Sequence, residues 1–245
     1  MRVFADYHTH TRFSHGKGTV MDNVRAAARK GLEAVAITDH GPANLFGLGV
    51  RSLAAFDDIA EEVEKARAAF PGVRVLMGVE ANIIDTHGGL DVPADVLERM
   101  NIVLAGHHLM VRGRTVSDSW KLAGRNFVAR WSRSLAERAR VDNTKSLIEA
   151  VRRNRVDVVT HPGLHVSIDT EELARECARV GTALEINAKH AHLDVEFVKV
   201  AARQGASFCI DSDAHSPDQV GEFGRALEVA IRAGLDPERI INVRA

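Results

Sequence analysis

Seven short apolar runs alternate with helical patterns along this chain, and that alternation limits its fold more than any other feature. The strand-like runs are 2–7, 34–38, 73–79, 102–106, 156–160, 182–186 and 207–210. The helix candidates are 20–30, 52–69, 94–100, 144–154, 171–180, 195–204 and 218–233. Gly31, Gly181, Gly205 and Gly234 follow four of them as C-terminal stops. Apolar strands separated by helices imply a mostly parallel sheet with both faces covered. Seven strands, each with a following helix, point to an α/β fold closed, or nearly closed, into a barrel rather than left as an open sheet. No repeat, low-complexity tract or linker interrupts the pattern, so one domain over residues 1–245 is expected.

The bulk properties narrow the class without naming it. A chain of 245 residues can bury roughly three quarters of its unfolded surface and needs no disulfide staple. Its two cysteines, Cys177 and Cys209, read as reduced core thiols. A net charge of −1 provides no global field toward nucleic acid or membrane. No apolar run is long enough to span a bilayer, and the opening strand-like run lacks a signal-peptide pattern. A cytoplasmic location is the expectation. Residues 111–145 stand apart: nine cations against three anions make the segment +6, leaving −7 for the remainder. The segment is either a solvated or oligomer-forming helix or a cap that attracts an anionic substrate.

Twelve histidines are many for this length, and they gather where strands end. The first strand runs into Asp6-Tyr7-His8-Thr9-His10, where His8 and His10, two apart, share a face. Later strand ends read Thr38-Asp39-His40, Gly78-Val79-Glu80, His107-His108, Thr160-His161-Pro162 and Asp211-Ser212-Asp213-Ala214-His215. In a parallel barrel these ends lie on one rim, where active sites are built. Imidazole nitrogens and carboxylate oxygens suit zinc, manganese or iron. So many on one rim imply a site for several ions. Asp6 and Asp39 either orient imidazoles or cap strand ends. His87, His165, His190 and His192 read as loop residues, with His190 and Asn187 placed to meet a substrate. Arg12, beside the first histidines, is a candidate phosphate contact.

These motifs together resemble the PHP domain, the family shared by polymerases and histidinol phosphatases, and most closely its stand-alone bacterial phosphatases. The resemblance covers nearly the whole chain. It rests on Tyr7-His8-Thr9-His10-Thr11, Ile37-Thr38-Asp39-His40-Gly41-Pro42, Gly78-Val79-Glu80-Ala81-Asn82-Ile83, Ala105-Gly106-His107-His108, Thr160-His161-Pro162-Gly163, Leu184-Glu185-Ile186-Asn187 and Ser212-Asp213-Ala214-His215. It implies a distorted seven-stranded β/α barrel and three divalent transition-metal ions per chain (Zn2+, Mn2+ or Fe2+). By resemblance, His8, His10, Glu80 and Asp213 hold the first ion. Glu80 bridges to a second, held also by His108 and His161. His15, in Phe13-Ser14-His15-Gly16, joins His40 and His215 on the third. His108 is taken over its neighbour His107 because the family pattern places the ligand second.

The implied reaction is hydrolysis of a phosphate ester, most simply a phosphomonoester of a small metabolite. Paired divalent ions lower the pKa of a water to about 7 and neutralise phosphate oxygens. Glu80 and Asp213 are the candidate catalytic carboxylates, while Arg112 and Arg114, leaving the rim after His108, are candidate phosphate contacts. The alternatives are a nuclease of DNA or nucleotides, a non-catalytic metal-binding module, and amidohydrolase chemistry. Near-neutral charge and the absence of a polymerase domain weigh against the first, and the full ligand set against the second. The third often uses a carboxylated lysine, and no strand here ends on lysine. A homo-oligomer is left open, and no membrane partner is expected.

Overall fold

A computed structural model describes residues 1–190 and 193–244; His192 lies outside the described residues. Its strands are β1 (Arg2–Val3), β2 (Ala5–Asp6), β3 (Ala34–Ile37), β4 (Arg74–Asn82), β5 (Ile102–Gly106), β6 (Val158–Val159), β7 (Ala183–Asn187), β8 (Ser207–Asp211) and β9 (Val243–Arg244). Strands β2 to β8 pair in chain order, each parallel to the next. The sheet curls until its ends meet. Thr9 and Ala214 form a parallel bridge, with His10 N donating to Ala214 O (2.8 Å). Lower in the seam the Asn242 amide substitutes for a ladder, donating to Ala5 O (2.9 Å) and Ile210 O (2.6 Å) and accepting from Ile210 N. The result is the nearly closed seven-stranded barrel expected from the alternation.

The strand period of two divides the apolar residues between two cores. Ala5, Ala34, Ala36, Ile102, Leu104, Val158, Ala183 and Cys209 fill the barrel interior. The alternate positions Val35, Ile37, Val103, Leu184, Ile186, Phe208 and Ile210 face outward under the helices. The main helices over that layer are α1 (Val20–Arg29), α2 (Ala55–Ala69), α6 (Arg133–Arg153), α7 (Thr170–Val180), α8 (Val195–Arg203) and α9 (Gly224–Ala233). Helix α2 presents Phe56, Ile59, Val63 and Ala66 at helical spacing, all buried. Each large one contributes about 1.5–3 kcal/mol by leaving water. Caps set the helix starts: Thr19 and Asp22 form a reciprocal capping box on α1, and Asp169 and Asp194 cap α7 and α8.

Several boundaries differ from the sequence expectation, and the clearest cases have tertiary reasons. The first run divides, because Arg2 and Val3 pair antiparallel with β9 outside the barrel. Strand β4 continues past Val79 to Asn82, held in register with β5 from Gly78–Ile102 to Asn82–Gly106. The last helix begins at Gly224 instead of 218, since Gly221 takes a left-handed turn (φ 77°) and donates its N–H to Asp6. Residues 111–145 do not make one helix. They form α3 (Ala94–Leu97)'s successors in the chain: α4 (Val116–Ser119), a π-helical turn over Trp120–Gly124, α5 (Arg125–Val128), a short 3-10 turn, and the first half of α6. Both cysteines are buried and unpaired. Burial pushes the Cys177 thiol up to about 12 and Cys209 well above its ordinary value. Among the described residues no helix is long and apolar enough to cross a membrane.

Candidate metal centre

Every parallel strand points its C-terminal end to one rim, and the rim-facing positions above the apolar interior are histidines and carboxylates. Glu80 occupies the centre. On β4 the outward positions are Val79 and Ala81, so Glu80 between them turns inward, fully buried. Its Oε1 lies 3.1 Å from His108 Nε2 and 3.0 Å from His161 Nε2. Its Oε2 lies 2.8 Å from His40 Nδ1, 3.1 Å from His8 Nε2 and 3.5 Å from His10 Nε2. Five imidazoles from four segments thus meet one carboxylate.

Asp213 completes the group from the other side of the seam. Its Oδ1 lies 3.7 Å from His8 Nε2, 3.4 Å from His10 Nε2 and 3.3 Å from His215 Nδ1. The ring of His15 stacks on His40 (5.0 Å between centroids) and lies 4.2 Å from that of His215. Its Nδ1 is tied to Leu48 O (2.9 Å), which leaves Nε2 as the open nitrogen. The loop bearing His15 folds back so closely that a Cβ on Gly16 would stand 2.6 Å from the His10 carbonyl oxygen. Among the described residues, three sets offer atoms within 4.8 Å of one another: His8, His10 and Asp213; His40, Glu80 and His108; His10, His40 and His215.

The donor geometry fits cations better than it fits a hydrogen-bond network. Despite three imidazole nitrogens within 3.5 Å, the buried Glu80 Oε2 has no hydrogen-bond partner, and neither has His10 Nδ1, His40 Nδ1 or His108 Nδ1. Buried polar atoms are normally satisfied, and lone pairs converging without donors are what a divalent ion requires. Charge state agrees. Burial alone would raise the Glu80 carboxyl, but His40, His8 and His108 outweigh it and hold Glu80 well below the usual carboxylate range. Asp213 is held low in the same way, chiefly by His8 and His10. Burial keeps His10 well below its ordinary value and pushes His40 and His215 down to about 4. Neutral imidazoles beside ionised carboxylates are the forms that ligate metal. His8 and His161 are the exceptions: burial opposes their protons, but Glu80, Glu185 and Asp213 outweigh it, raising His161 and holding His8 well above its ordinary value. Those are the positions where a cation would displace a proton.

Backbone strain marks the same place. His161 (φ 28°) and Asp213 (φ 52°) both occupy the left-handed region that non-glycine residues avoid. The strain is held by Glu185, whose Oε2 accepts from His161 N (2.6 Å) and from Asn187 Nδ2 (3.0 Å). Glu185 Oε1 accepts from His8 Nδ1 at 2.6 Å, which aims Nε2 at the centre. Sequence reasoning assigned Glu185 no role. The signal available was a charge alternating with Leu184 and Ile186 inside an apolar strand. Asp6 and Asp39 hold backbone instead of rings: Asp6 accepts from Ser212 N and Gly221 N, and Asp39 from Thr11 N and Ser14 N. His107 turns away to Ser146 Oγ (2.8 Å) on α6, while His108 turns in.

Above the centre lies a cavity of about 460 Å³, lined by seven of the nine candidate ligands with His8 and His10 buried beneath. His190 lines it, its Nε2 3.4 Å from Asp213. Arg12, Arg112 and Arg114 are not brought there. Arg12 pairs with Glu62 (2.7 Å), Arg114 pairs with Asp85 (2.7 Å), and Arg112 and Arg114 line a separate recess with Asp91. Among the described residues, the arginine and lysine lining the cavity are Arg130 and Lys189, the latter 2.7 Å from His215 Nδ1 and 3.7 Å from Asp213 Oδ1. His87 and His165 are exposed.

Comparison with known proteins agrees with this geometry. Residues 6–189 match the PHP domain family. A probable phosphatase of Thermoanaerobacter sp. (strain X514) is 32% identical over 99% of this chain and 91% of its own length. One of Acetivibrio thermocellus is 30% identical over 99% of this chain and 92% of its own. A histidinol phosphate phosphatase of Lactococcus lactis, solved with zinc, L-histidinol and phosphate, shares the fold with a TM-score of 0.66 at 14% identity, covering 96% of this chain and 95% of that one. The chain belongs to the PHP domain family.

Proposed function

We propose that this protein is a phosphomonoesterase acting on a small phosphorylated metabolite, using three divalent transition-metal ions, Zn2+, Mn2+ or Fe2+, on the barrel rim. Its broader class, a metal-dependent phosphoric ester hydrolase, follows from the family and from relatives named probable phosphatases along nearly the whole chain. The observation that carries the finer reading is Glu80: a buried carboxylate within 3.5 Å of five imidazole nitrogens, one of its oxygens without a hydrogen bond. His8, His10, Glu80 and Asp213 would hold the first ion, Glu80, His108 and His161 the second, and His15, His40 and His215 the third. When bound, such ions supply Lewis acidity, neutralising phosphoryl oxygens and making water nucleophilic near pH 7.

The chain's own side chains provide the rest. Glu185 fixes the His8 tautomer and the His161 backbone, so two ligands are set before any ion arrives. Lys189 brings positive charge to the cavity floor for an anionic ester. Burial, with Lys189 adding to it, holds His190 at about 4. The ring is neutral at pH 7 and able to hydrogen-bond a substrate oxygen. The test is elemental analysis of protein purified without chelator, followed by a phosphomonoester panel on the reconstituted enzyme. Close to three ions per chain with turnover of phosphomonoesters is expected. One ion or fewer after reconstitution, or cleavage of phosphodiesters alone, overturns it.

A further inference from the structure

The cavity over the rim has two unlike sides. Its floor is the histidine and carboxylate cluster with Lys189; its wall is apolar, built from Leu48, Leu109, Met110, Phe127 and Leu164. Phe127 and Met110 are about half-exposed (56% and 47%) although they line a concavity. Exposed apolar surface beside a charged centre is a feature that a ligand covers. Phe127 belongs to α5, inside the basic segment, and its ring is held from two directions. Trp131 meets it edge-on at 5.7 Å between centroids. The Arg130 guanidinium lies 4.7 Å from the Phe127 centroid and 5.1 Å from that of Trp131, while Arg130 Nε donates to Phe127 O (3.0 Å). A ring braced by an edge-on partner and a cation is a preformed face.

We infer that Phe127, braced by Arg130, forms the leaving-group pocket, and that the substrate is a phosphomonoester whose alcohol carries a flat apolar group. The inference rests on the phosphatase reading of the rim and adds to it the chemistry of the departing alcohol. A small hydrophilic ester such as glycerol phosphate would engage the floor and leave the wall in water. An ester bearing a ring would cover Phe127 and gain in proportion to the apolar area removed from water. A cavity of about 460 Å³ is of the size that takes such a molecule. The basic segment then has two roles by composition: its cations draw the anion in, and its aromatic residue selects what the phosphate is attached to.

The test compares 2-phenylethyl phosphate with glycerol 1-phosphate, both primary alkyl esters, so the chemical step is matched and the ring is the variable. The metal-reconstituted parent is expected to prefer the phenylethyl ester at least tenfold in kcat/KM. Phe127→Ala should cut that ratio about tenfold through KM, and Phe127→Tyr should restore it. Trp120→Ala, an exposed aromatic of the same segment outside the cavity, should leave the ratio unaltered. A second readout needs no turnover. By calorimetry the metal-loaded parent should bind 2-phenylethylphosphonate at least tenfold more tightly than methylphosphonate, and Phe127→Ala should remove that margin. Equal cleavage of the two esters overturns the inference and spares the phosphatase reading. Failure to cleave either, with the phosphonate margin intact, overturns the phosphatase reading and spares the pocket. Equal affinity for the two phosphonates overturns the pocket in every case.

Discussion

The rim and the segment that leans over it are built on opposite principles. Rim residues come from strand ends, apart from His15 on a loop; six of the nine candidate ligands are buried, His108 and His215 are partly exposed and His15 is exposed, and Glu185 on β7 fixes two of them, His8 and His161. The segment over residues 111–145 comes in short helical pieces, exposes Val116, Trp120, Phe127 and Trp131, and is tied down mainly by ion pairs. On the proposed reading, chemistry that tolerates little displacement occupies the first, and recognition, which can vary, the second. Changes in the rim should therefore alter metal and turnover, whereas changes in the segment should alter KM and stability.

The largest effect expected is at Glu80. Glu80→Gln keeps the shape but removes the charge around which five imidazoles gather. Metal content should fall, and turnover should drop by at least about 10³, the scale of losing a major electrostatic contribution in the transition state. A variant with parental metal and rate would show that Glu80 is no bridge. Next is Glu185→Gln, which weakens the grip on His8 Nδ1 and His161 N without touching the ligating atoms. Metal affinity should weaken about 10–100-fold, the range found for residues that orient ligands. Unchanged affinity in a chelator competition would reduce Glu185 to a buried structural charge.

What could be read in the sequence divides along the same line. Strand ends were legible because short apolar runs stop where polar residues begin, and His8, His40, His161 and His215 stand just beyond. Glu80 looked like the residue just past a strand, yet β4 runs through it to Asn82, since a polar residue facing a polar interior does not break a ladder. Glu185 was hidden by its apolar neighbours. The segment misled more. Arg112 and Arg114 follow His108 closely in sequence, but the chain leaves the rim there, pairing Val111 with Asn44, and comes back only at Phe127 and Arg130. Lys189 lies far along the chain from those arginines and reaches the same cavity. Proximity in sequence predicts proximity in space along one strand and fails across a loop.

His107 and His108, adjacent residues that turn to opposite sides of the strand end, give a sharper contrast. His108→Ala should lose metal. His107→Ala should keep its metal stoichiometry but lose about 2 kcal/mol of stability, because the Ser146 Oγ contact disappears and a buried space opens beneath α6. Denaturant unfolding with parallel metal analysis separates them; loss of metal in both would merge the roles that the structure divides.

The smallest effect concerns how the segment's last helix is fastened to the barrel. Helix α6 starts within the basic segment and ends against α7, where Arg152 Nε pairs with Glu176 Oε1 (2.8 Å) and Arg179 from α7 pairs with the same oxygen (2.6 Å). Hydrogen bonds from Arg152 and then Arg179 hold the Glu176 carboxyl down at about 2 from an ordinary 4.5. A depressed folded-state pKa contributes stability that is full above the unfolded value and is lost as pH falls through the folded one. The contribution is therefore whole at pH 7, begins to shrink near pH 4.5, and is gone near pH 2. The two arginines are 45% and 64% exposed, so water screens the cluster and about 1 kcal/mol is expected for Glu176→Gln at pH 7. Urea unfolding of parent and variant at pH 7, 4.5 and 3.5 should show that difference narrowing with acid. A gap that stays constant across the three pH values would mean that Glu176 acts by packing, and that charge does not fasten α6 to α7.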